Sequence, residues 1–586
     1  MKLEWKAPAR CDVLIAGAGL AGLRAAVDCA RAGRRVIVAA RGGVCSGSSF
    51  YPFTDGLGCQ LPDSDADAQA FLEEVLDAGA GMASEELYRV QIASIRREVA
   101  RLEELGITPY YLHGRAACFA RRERTICAWD GWTAIRANVQ AILAGLPGVE
   151  VWPHADLVRV LTNHGAVCGA VVLQPDGTLQ TVQAPAVVLA TGGPCGLYRH
   201  SLNTPDVTGA AASLALDAGA GLVNAEFLQF IPGLMQPKYK MLFCEITLWH
   251  CSGVTDPQGR PLLEAVLPPQ VSVRECLRAR SMHGPFTVRD ASRWFDLAMM
   301  DGIRRTGRPE GCRLTFSPQL NDDDNEFVAS ARQLYQSNGL DLTAQPICIA
   351  PFAHCANGGV RIDRDGAAGV PGLYCAGEAA GGIHGADRHG GVATAAALVF
   401  GARAAAAASA HAAQAQMQPL PEARVHGELT DWLHPAHSGY VLRAADLRAE
   451  LGRRLWLQAN VLRTGPELVD LRARLQAWRQ QYDPLADAAA GTPLAKALET
   501  FHALRTAEAL TAAMQTRTES RGGHYRQDAP QTVPAWTGRR LLVREAADGL
   551  HCMAEDGGPL PPFGTSANAD GTGTAAGASS SADAGC

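Results

Sequence analysis

The chain has 586 residues and a formal net charge of −6, with 47% hydrophobic and 19% charged residues. At about 100–200 residues per domain, this length predicts several domains, and the composition is that of a globular protein with ample core. No long block of Lys or Arg occurs, so the charge pattern typical of proteins that bind nucleic acids or anionic membranes is excluded.

The chain start and the cysteines favour a cytoplasmic protein. Residues 1–10 carry several charges and lack the apolar run of a signal peptide. The longest apolar runs, such as 186–190 and 395–400, are shorter than the roughly 20 residues that a membrane span needs, so we expect no direct span. The 17 cysteines include no C-x-x-C pair, and we expect buried thiols with no metal or iron–sulfur site.

Residues 11–39 predict a strand, a tight turn, a helix and a second strand. The turn places Gly17, Gly19 and Gly22 in the spacing G-x-G-x-x-G. In a dinucleotide-binding unit the first glycine makes the turn, the second lets the backbone approach a pyrophosphate, and the third packs helix on strand. The helix N-terminus also favours an anion. This pattern predicts a dinucleotide site, and the structural alternative is a plain Gly-rich turn.

An acidic residue that usually binds the adenosine ribose is absent after the second strand. Ala39, Ala40 and Arg41 occupy that place. Two interpretations remain at this point: an NADP site with Arg41 on the 2′-phosphate, or a flavoprotein that holds the ribose elsewhere.

Two further Gly-rich turns follow apolar strands, at 186–193 and at 372–378. The second precedes several glycines between 381 and 391 and an Ala-rich helix from 392 to about 408. Three such turns along the chain predict one nucleotide-binding domain that a polar, irregular insertion divides.

The rest of the chain predicts helices and then a tail. Segments 446–461 and 466–482 carry apolar residues three and four apart, as amphipathic helices do. From residue 557 the chain is rich in Gly, Ala, Ser and Pro, so it cannot bury enough surface to offset its ordering entropy. The predicted units are 1–233 and 347–415 for the two parts of the nucleotide-binding domain, 234–346 for a capping domain, 416–552 for a helical domain, and 553–586 for a disordered tail.

Several motifs occur in a fixed order after the glycine turn: 190–193, 226–230, 288–290, His354 with Gly358–Gly359, 372–378, 384–388 and 519–528. With them the sequence resembles the flavoprotein subunits of succinate dehydrogenase and fumarate reductase, and L-aspartate oxidase, from about residue 12 to about residue 543. The resemblance implies an α/β fold, with a Rossmann-like FAD-binding domain split by an α+β capping domain and followed by a C-terminal helical domain. It also favours FAD over NADP.

The resemblance implies a set of FAD-binding residues. They are Gly17, Gly19, Gly22, Arg41, Ser48, Ser49, Thr191, Gly192, Gly193, Glu378, Gly390 and Gly391. Within this set Glu378 would bind a ribose hydroxyl, and the helix after Gly391 would point its N-terminus at the flavin pyrimidine, where about half a positive charge stabilises the reduced flavin. Many members attach flavin to a His soon after the second strand. The first His here is His113, so we expect non-covalent FAD.

On the substrate side the resemblance implies four catalytic residues. Arg289 would exchange the proton with help from Glu245, since an Arg alone has a pKa above about 12. His354 and Arg388 would bind a substrate carboxylate, which a guanidinium contacts through two parallel hydrogen bonds. The structural alternatives are a surface ion pair for Arg289 with Asp290, a structural role for His354 and a solvated Glu245.

Three departures from the family pattern affect the substrate and the cofactor. Ile231 replaces a His that binds a substrate carboxylate in the family, and losing one charged contact costs about 1.5–3 kcal/mol. Cys244 replaces a Thr beside the relay acid. Segments 52–56 and 209–211 also depart from the family pattern near the FAD.

The sequence therefore predicts an FAD-dependent oxidoreductase that moves a hydride between flavin and a carbon next to a carboxylate. Succinate, fumarate and aspartate are the substrates that the resemblance implies, with Ile231 against all three. Two alternatives remain: a flavoprotein subunit that needs an iron–sulfur partner, and a non-catalytic FAD-binding protein.

Overall fold

The computed structural model describes residues 3–50, 57–417, 420, 422–433 and 442–555. The part of the chain before the predicted cap contains both strands and helices. The elements are β1 Trp5–Arg10, β2 Val13–Ala16, α1 Leu20–Arg31, β3 Val36–Ala40, β4 Leu57–Leu61, α2 Asp65–Ala78, α3 Glu85–Val99, β5 Tyr110–Arg115, β6 Arg124–Trp129, α4 Trp132–Gly145, β7 Val149–Pro153, β8 Asp156–Asn163, β9 Ala166–Leu173, β10 Leu179–Gln183, β11 Ala186–Leu189, α5 Ala210–Asp217 and β12 Leu222–Val223.

The remaining elements form the cap, the second part of the nucleotide-binding domain and the C-terminal region. They are β13 Leu228–Gln236, β14 Cys251–Thr255, α6 Val273–Arg280, α7 Arg293–Thr306, β15 Cys312–Phe316, α8 Glu326–Ser337, β16 Ile347–Ala356, β17 Gly359–Arg361, β18 Leu373–Cys375, β19 Ala380–Gly381, α9 Val392–Gln414, α10 Glu422–Leu433, α11 Ala444–Gln458, α12 Gly465–Gln481, α13 Pro484–Ala489, α14 Leu494–Thr516, β20 Arg540–Ala546 and β21 Gly549–Glu555.

A parallel sheet is the centre of the fold. Its strand order is β18-β11-β2-β3-β7, and every neighbouring pair runs parallel. Strands β2, β3 and β11 consist of Val, Ile, Leu and Ala and are buried along their whole length, as expected for parallel strands covered on both faces. The predicted α/β fold is confirmed, since β18 comes from the second part of the divided domain and pairs with β11 from the first.

The cap is built on an antiparallel sheet with the order β13-β16-β15-β14. Helices α6, α7 and α8 belong to the same region, so it is α+β, as predicted. The predicted boundary between 233 and 234 falls inside β13, because this strand pairs with β16 along its length.

The C-terminal region is helical from α10 to α14, and it ends in strands that the helical prediction did not include. Strands β20 and β21 form a hairpin, and β20 pairs with β12 of the first domain. The predicted start of a disordered tail at 553 needs correction, since residues 553–555 complete β21. Residues 556–586 lie outside the described part of the chain.

Helix α9 is the one element in the described ranges with the length and composition of a membrane span. In the sequence its apolar residues are interrupted by Arg403 and Ser409, which is why no long apolar run was found. In the fold 72% of an apolar stretch of 18 residues in this helix is buried, and the helix packs against α1 and α3. This burial describes a core helix of the divided domain.

Candidate functional site

Two adjoining cavities lie at the carboxyl end of the central sheet. The first is lined by the glycine turn after β2, the segment after β3 and the turn after β11, and the second lies between that segment, the cap and the N-terminus of α9. Both are lined by Leu20, Ser48, Ser49, Glu378 and Ala397, so these five residues lie where the two cavities meet. A crevice at this edge of a parallel sheet is where dinucleotides bind.

The glycine turn has the close contacts that its spacing predicts. Gly17 has a φ of +105°, and a Cβ on it would lie 2.3 Å from the carbonyl oxygen of Ala190. A Cβ on Gly22 would lie 2.0 Å from the carbonyl oxygen of Gly17. Gly19 precedes α1, lines the first cavity, and has no atom within 3.4 Å of its Cβ position. The backbone at Gly19 is therefore open to a ligand, whereas the other two glycines close the packing.

Ser48 and Glu378 present polar atoms at the junction of the cavities. The hydroxyl of Ser48 is buried and has no hydrogen-bond partner among the described residues. Glu378 accepts a hydrogen bond of 3.0 Å from the backbone N–H of Ala356, and burial raises its pKa. A Cβ on Gly193 would lie 2.1 Å from Oε1 of Glu378. These groups suit the hydroxyl-rich linker of a dinucleotide, so the chain fits FAD here.

Arg41 is bound by protein groups. Its Nε donates to Oδ1 of Asp156 over 2.5 Å, and Nη1 donates to the hydroxyl of Thr208 over 2.8 Å. The carboxylate of Glu499 lies 3.8 Å from the same guanidinium. Two acids thus balance its charge, which disfavours the interpretation of Arg41 as the ligand of an NADP 2′-phosphate.

The N-terminus of α9 is aimed at the second cavity. Gly390 and Gly391 line that cavity directly before the helix begins. Nε2 of Gln60 donates to the carbonyl oxygen of Gly390 over 2.8 Å, and the N–H of Gly390 donates to the carbonyl oxygen of Cys118 over 3.1 Å. These bonds hold the turn so that the free N–H groups of the first helical turn face the space where the resemblance places the flavin.

His354 and Arg388 line the second cavity together. Arg388 is 8% exposed, and its Nη2 donates to Oε1 of Gln229 over 2.7 Å, while Nε has no partner in the described structure. Burial, and then the charge of Arg388, lowers the pKa of His354 to about 3. The imidazole is therefore neutral and offers one N–H donor beside a permanent cation. This pair suits a carboxylate.

Glu245 is an acid of the cap at the start of the 3-10 helix Glu245–His250, and it is not among the described residues that line either cavity. A Cβ on Gly284 would lie 3.4 Å from its Oε1 and 3.9 Å from Sγ of Cys118, and Oε1 has no hydrogen-bond partner in the described structure. Burial raises the pKa of Glu245 to about 7, although the charge of Arg280 opposes this shift. The carboxyl group is therefore half protonated near neutral pH, which suits an acid–base group.

Arg289 is not brought together with His354 and Arg388. Its Nη2 donates to Oδ2 of Asp77 over 2.5 Å, and its side chain is 33% exposed. Asp77 also pairs with Arg121. Arg289 is not among the described residues that line either cavity. The geometry does not support the predicted proton exchange, and the role of Arg289 stays a prediction.

Most predicted cofactor residues do line the cavities. The residues lining one or both are Gly17, Gly19, Arg41, Ser48, Ser49, Thr191, Gly192, Glu378, Gly390 and Gly391. Gly22 and Gly193 act through close packing instead. The altered segment 52–56 lies outside the described residues.

Sequence reasoning missed two polar residues that line the second cavity, Asn203 and Lys240, and it missed Gln229, which accepts a hydrogen bond from Arg388. Gln229 lay inside a motif that was noted, the segment 226–230, so its polarity within an apolar strand was an available signal. Asn203 and Lys240 lie in irregular loops, and no spacing marks them.

Comparison with known families and proteins agrees with this geometry. The family described as FAD binding domain matches residues 12–394, and the family described as fumarate reductase flavoprotein C-term matches residues 448–552. The chain is 30% identical over 557 residues to L-aspartate oxidase of Mycobacterium tuberculosis, covering 92% of this chain and 96% of that protein. It is 27% identical over 567 residues to a subunit of the fumarate reductase (CoM/CoB) of Methanothermobacter marburgensis, covering 91% of this chain and 97% of that protein.

Solved structures share the fold. Sdh1 of Mycobacterium smegmatis, solved in complex with UQ1, superposes with a TM-score of 0.78 at 24% identity and covers 96% of each chain. The FrdA chain of quinol fumarate reductase from E. coli superposes with a TM-score of 0.74 at 22% identity, covering 96% of this chain and 98% of that one.

The fold and the site define a flavoprotein oxidoreductase with a divided dinucleotide-binding domain. Because the family match spans well over half of the chain, this protein belongs to the FAD-dependent oxidoreductase family of fumarate reductase, succinate dehydrogenase and L-aspartate oxidase. FAD is its cofactor, and the predicted cofactor and enzyme class are confirmed.

Proposed function

We propose that this enzyme transfers a hydride between FAD and a carbon atom next to a carboxylate of a small substrate. The observation that carries the proposal is the placement of Arg388 and His354 in one cavity with the N-terminus of α9 and with Glu378. A carboxylate bound by these two residues would lie beside the N-terminus of α9, where the resemblance places the flavin. FAD supplies the hydride acceptor or donor when it is bound.

Arg388 supplies the orientation of the substrate. Two of its nitrogens are bound to Gln229 and to the carbonyl oxygen of His389, so the guanidinium plane is fixed before a ligand arrives. Its Nε has no hydrogen-bond partner among the described residues, and it supports the proposal as a further donor for the carboxylate. A rigid donor set of this kind lowers the cost of positioning the reacting carbon.

Glu245 is the proposed store of the exchanged proton. Its pKa of about 7 allows it to give or take a proton at neutral pH with little driving force in either direction. Cys118 lies next to it and accepts a hydrogen bond of 3.2 Å at Sγ from the N–H of Gly284, so this corner of the cap contacts the turn before α9. Cys118 in turn accepts a hydrogen bond at its carbonyl oxygen from the N–H of Gly390, a lining residue of the second cavity, and this indirect connection between Glu245 and the cavity supports the proposed role.

A second candidate is a flavoprotein that exchanges electrons with an iron–sulfur partner. The relative from Methanothermobacter marburgensis favours it, because that protein is named as one subunit of a fumarate reductase. In this candidate the carboxylate site is the same, and only the source of electrons differs.

Anaerobic flavin reoxidation tests both candidates. The purified holoprotein is reduced with dithionite, freed of excess reductant, and mixed with fumarate, with oxygen or with buffer, while flavin absorbance is followed. Reoxidation by fumarate that Arg388→Gln abolishes supports a carboxylate reductase, and fast reoxidation by oxygen with peroxide release supports an oxidase. If no small acceptor reoxidises the flavin and no carboxylate perturbs its spectrum, the proposed hydride transfer is wrong.

A further inference from the structure

Two buried glutamines bind the start of α9. Gln60 on β4 is 1% exposed, and its Nε2 donates to the carbonyl oxygen of Gly390 over 2.8 Å. Gln91 on α3 is 2% exposed, and its Nε2 donates to the carbonyl oxygen of Val392 over 2.9 Å. The two carbonyl groups belong to the turn before α9 and to the first residue of the helix. Two separate elements therefore hold the same helix end through amide groups.

Core packing alone does not account for these two side chains. The Oε1 atoms of Gln60 and Gln91 are buried, and neither has a hydrogen-bond partner among the described residues. Burying an amide oxygen without a partner is unfavourable, and an apolar side chain of similar volume would avoid this cost. Such departures from good packing are expected at functional sites. The donor that each glutamine does use is bonded to α9, so the function is to be sought there.

The bond from Gln60 determines the direction of one backbone N–H. The peptide bond between Gly390 and Gly391 is trans, and in a planar trans peptide group the C=O and the N–H point in opposite directions. Because the carbonyl oxygen of Gly390 faces Gln60, the N–H of Gly391 is directed away from Gln60. Gly391 lines the second cavity, and a Cβ on it would lie 3.1 Å from the backbone nitrogen of Gln60. Strand β4 therefore supports this turn directly.

The first turn of α9 presents free donors. No side chain caps the helix, and in the described part of the chain the backbone N–H groups of Val392, Ala393 and Thr394 have no acceptor. Ala393 and Thr394 line the second cavity together with Gly391. Free N–H groups at a helix N-terminus amount to about half a positive charge. This charge lies at the space where the resemblance places the flavin pyrimidine.

We propose that Gln60 and Gln91 are positioning residues that raise the reduction potential of the bound FAD. By fixing the carbonyl groups of Gly390 and Val392, they keep the N–H groups of the first helical turn directed at the flavin. Positive charge there stabilises the anionic reduced flavin more than the neutral oxidised flavin. This inference rests on FAD as the cofactor and not on the proposed substrate, so it can fail while the proposed function stands.

The test measures the midpoint potential of the flavin in the holoenzyme, by anaerobic titration against a reference dye. The dissociation constant of oxidised FAD is measured in parallel by ultrafiltration. The potential of bound FAD depends on the ratio of the dissociation constants of its oxidised and reduced forms. A residue with a merely structural role would weaken the binding of both forms equally and leave the potential unchanged. No substrate is present, so turnover does not enter the measurement.

The variants are Gln60→Met, Gln91→Met and, as a matched control, Gln174→Met. Methionine is a flexible side chain of similar length without an N–H donor. Gln174 is also buried, but its Nε2 is bonded to Oε1 of Gln180, and it is not among the described residues that line either cavity.

In Gln60→Met we expect reduced FAD to lose about 10-fold in affinity relative to oxidised FAD, which lowers the potential of this two-electron couple by about 30 mV. For Gln91→Met we expect about 3-fold, because Val392 is also held by its place in the helix. Gln174→Met should keep the potential of the parent.

An unchanged potential in Gln60→Met with flavin bound overturns the proposal, even if the affinity for oxidised FAD falls. An equal fall in Gln174→Met also overturns it, because the effect then comes from a general loss of packing. If Gln60→Met binds no flavin, Gln91→Met decides the question, and an unchanged potential in that variant overturns the proposal.

Discussion

Nη2 of Arg388 and Oε1 of Gln229 are joined by a hydrogen bond of 2.7 Å inside the protein. Gln229 lies on β13 and is fully buried, and Arg388 lies in the turn before α9. The bond therefore connects the first strand of the cap sheet to the cofactor domain at the point where a substrate carboxylate would bind. A neutral partner such as Gln fixes the guanidinium without cancelling its charge.

Replacing this partner should loosen the carboxylate site. In Gln229→Leu we expect KM to rise about 10-fold with a smaller fall in kcat, because Arg388 keeps its charge and loses its fixed direction. Steady-state kinetics with the substrate found by the reoxidation assay measure both constants. Gln333→Leu, on the exposed face of α8, is the matched control. Unchanged KM in Gln229→Leu contradicts a positioning role.

The pKa of Glu245 predicts the pH dependence of turnover. Since burial raises this pKa to about 7, the carboxyl group is protonated below pH 7 and ionised above it. Substrate oxidation, which needs a base, should therefore rise with pH through about 7, and substrate reduction, which needs an acid, should fall through the same range.

Glu245→Gln should remove this pH step and lower kcat by about 10²- to 10⁴-fold, the usual contribution of a general acid or base. Glu264→Gln, at an exposed acid of the cap, is the control and should keep both the step and the rate. If the change in activity near pH 7 persists in Glu245→Gln, the group that titrates there is another residue.

The ion pair of Arg289 with Asp77 predicts small effects at both positions. The pair is partly exposed, with side-chain exposures of 33% and 46%, and such pairs contribute about 0–1 kcal/mol. We expect Arg289→Gln and Asp77→Asn to lower kcat less than about 3-fold and to leave flavin content unchanged. A fall of about 100-fold in Arg289→Gln alone restores the proton exchange predicted from the sequence.

A substitution at Gly19 should impair cofactor binding without impairing folding. Because no atom lies within 3.4 Å of its Cβ position, Gly19→Ala should fold, but the added methyl group would occupy the place of the pyrophosphate. We expect the ratio of flavin to protein to fall at least about 10-fold, while the circular dichroism of the apoprotein matches that of the parent stripped of flavin. Gly145→Ala, at a position with no neighbour within 4 Å, should retain full flavin. Full flavin content in Gly19→Ala would falsify the placement of the pyrophosphate.

A buried ion pair joins the cap end of the first domain to the C-terminal region. Glu226 and Arg517 are both 0% exposed, and Oε1 of Glu226 accepts from Nε of Arg517 over 2.7 Å. Removing one partner of such a pair costs about 3–5 kcal/mol. Glu226→Gln should lower the unfolding free energy in urea by this amount, and Glu428→Gln, in an exposed pair with Arg424, by less than about 0.5 kcal/mol. Equal effects of the two variants contradict the predicted cost.

The cofactor side could be predicted from the sequence because its contacts are local. The spacing from Gly17 to Gly22 is set by one turn of backbone, and the apolar strands around it are buried on both faces, so pattern alone indicates them. The predicted helix from 392 began at the right residue, since Gly391 marks its start, and it ended too early because its alanines continue to Gln414 without a stop signal.

The substrate side could not be predicted in the same way. Arg289 lies inside the motif 288–290, but the direction of its side chain depends on Asp77, a residue of α2 far away in the chain. Lys240 lies near the cavity only because its loop folds back on β13. The hairpin β20–β21 was missed for a related reason, since its partner β12 is a two-residue strand that carries no periodic signal.

The packing of α9 on α1 also has a consequence for synthesis of the protein. Both helices begin at the cavities, and they touch so closely that a Cβ on Gly401 would lie 2.7 Å from the carbonyl oxygen of Ala21. The two ends of the cofactor site are therefore encoded by the beginning of the chain and by residues near 400. During synthesis on the ribosome, α1 can pack against α9 only after residues up to about 414 have emerged. The nascent protein therefore binds its flavin late, and its nucleotide cleft stays open until then.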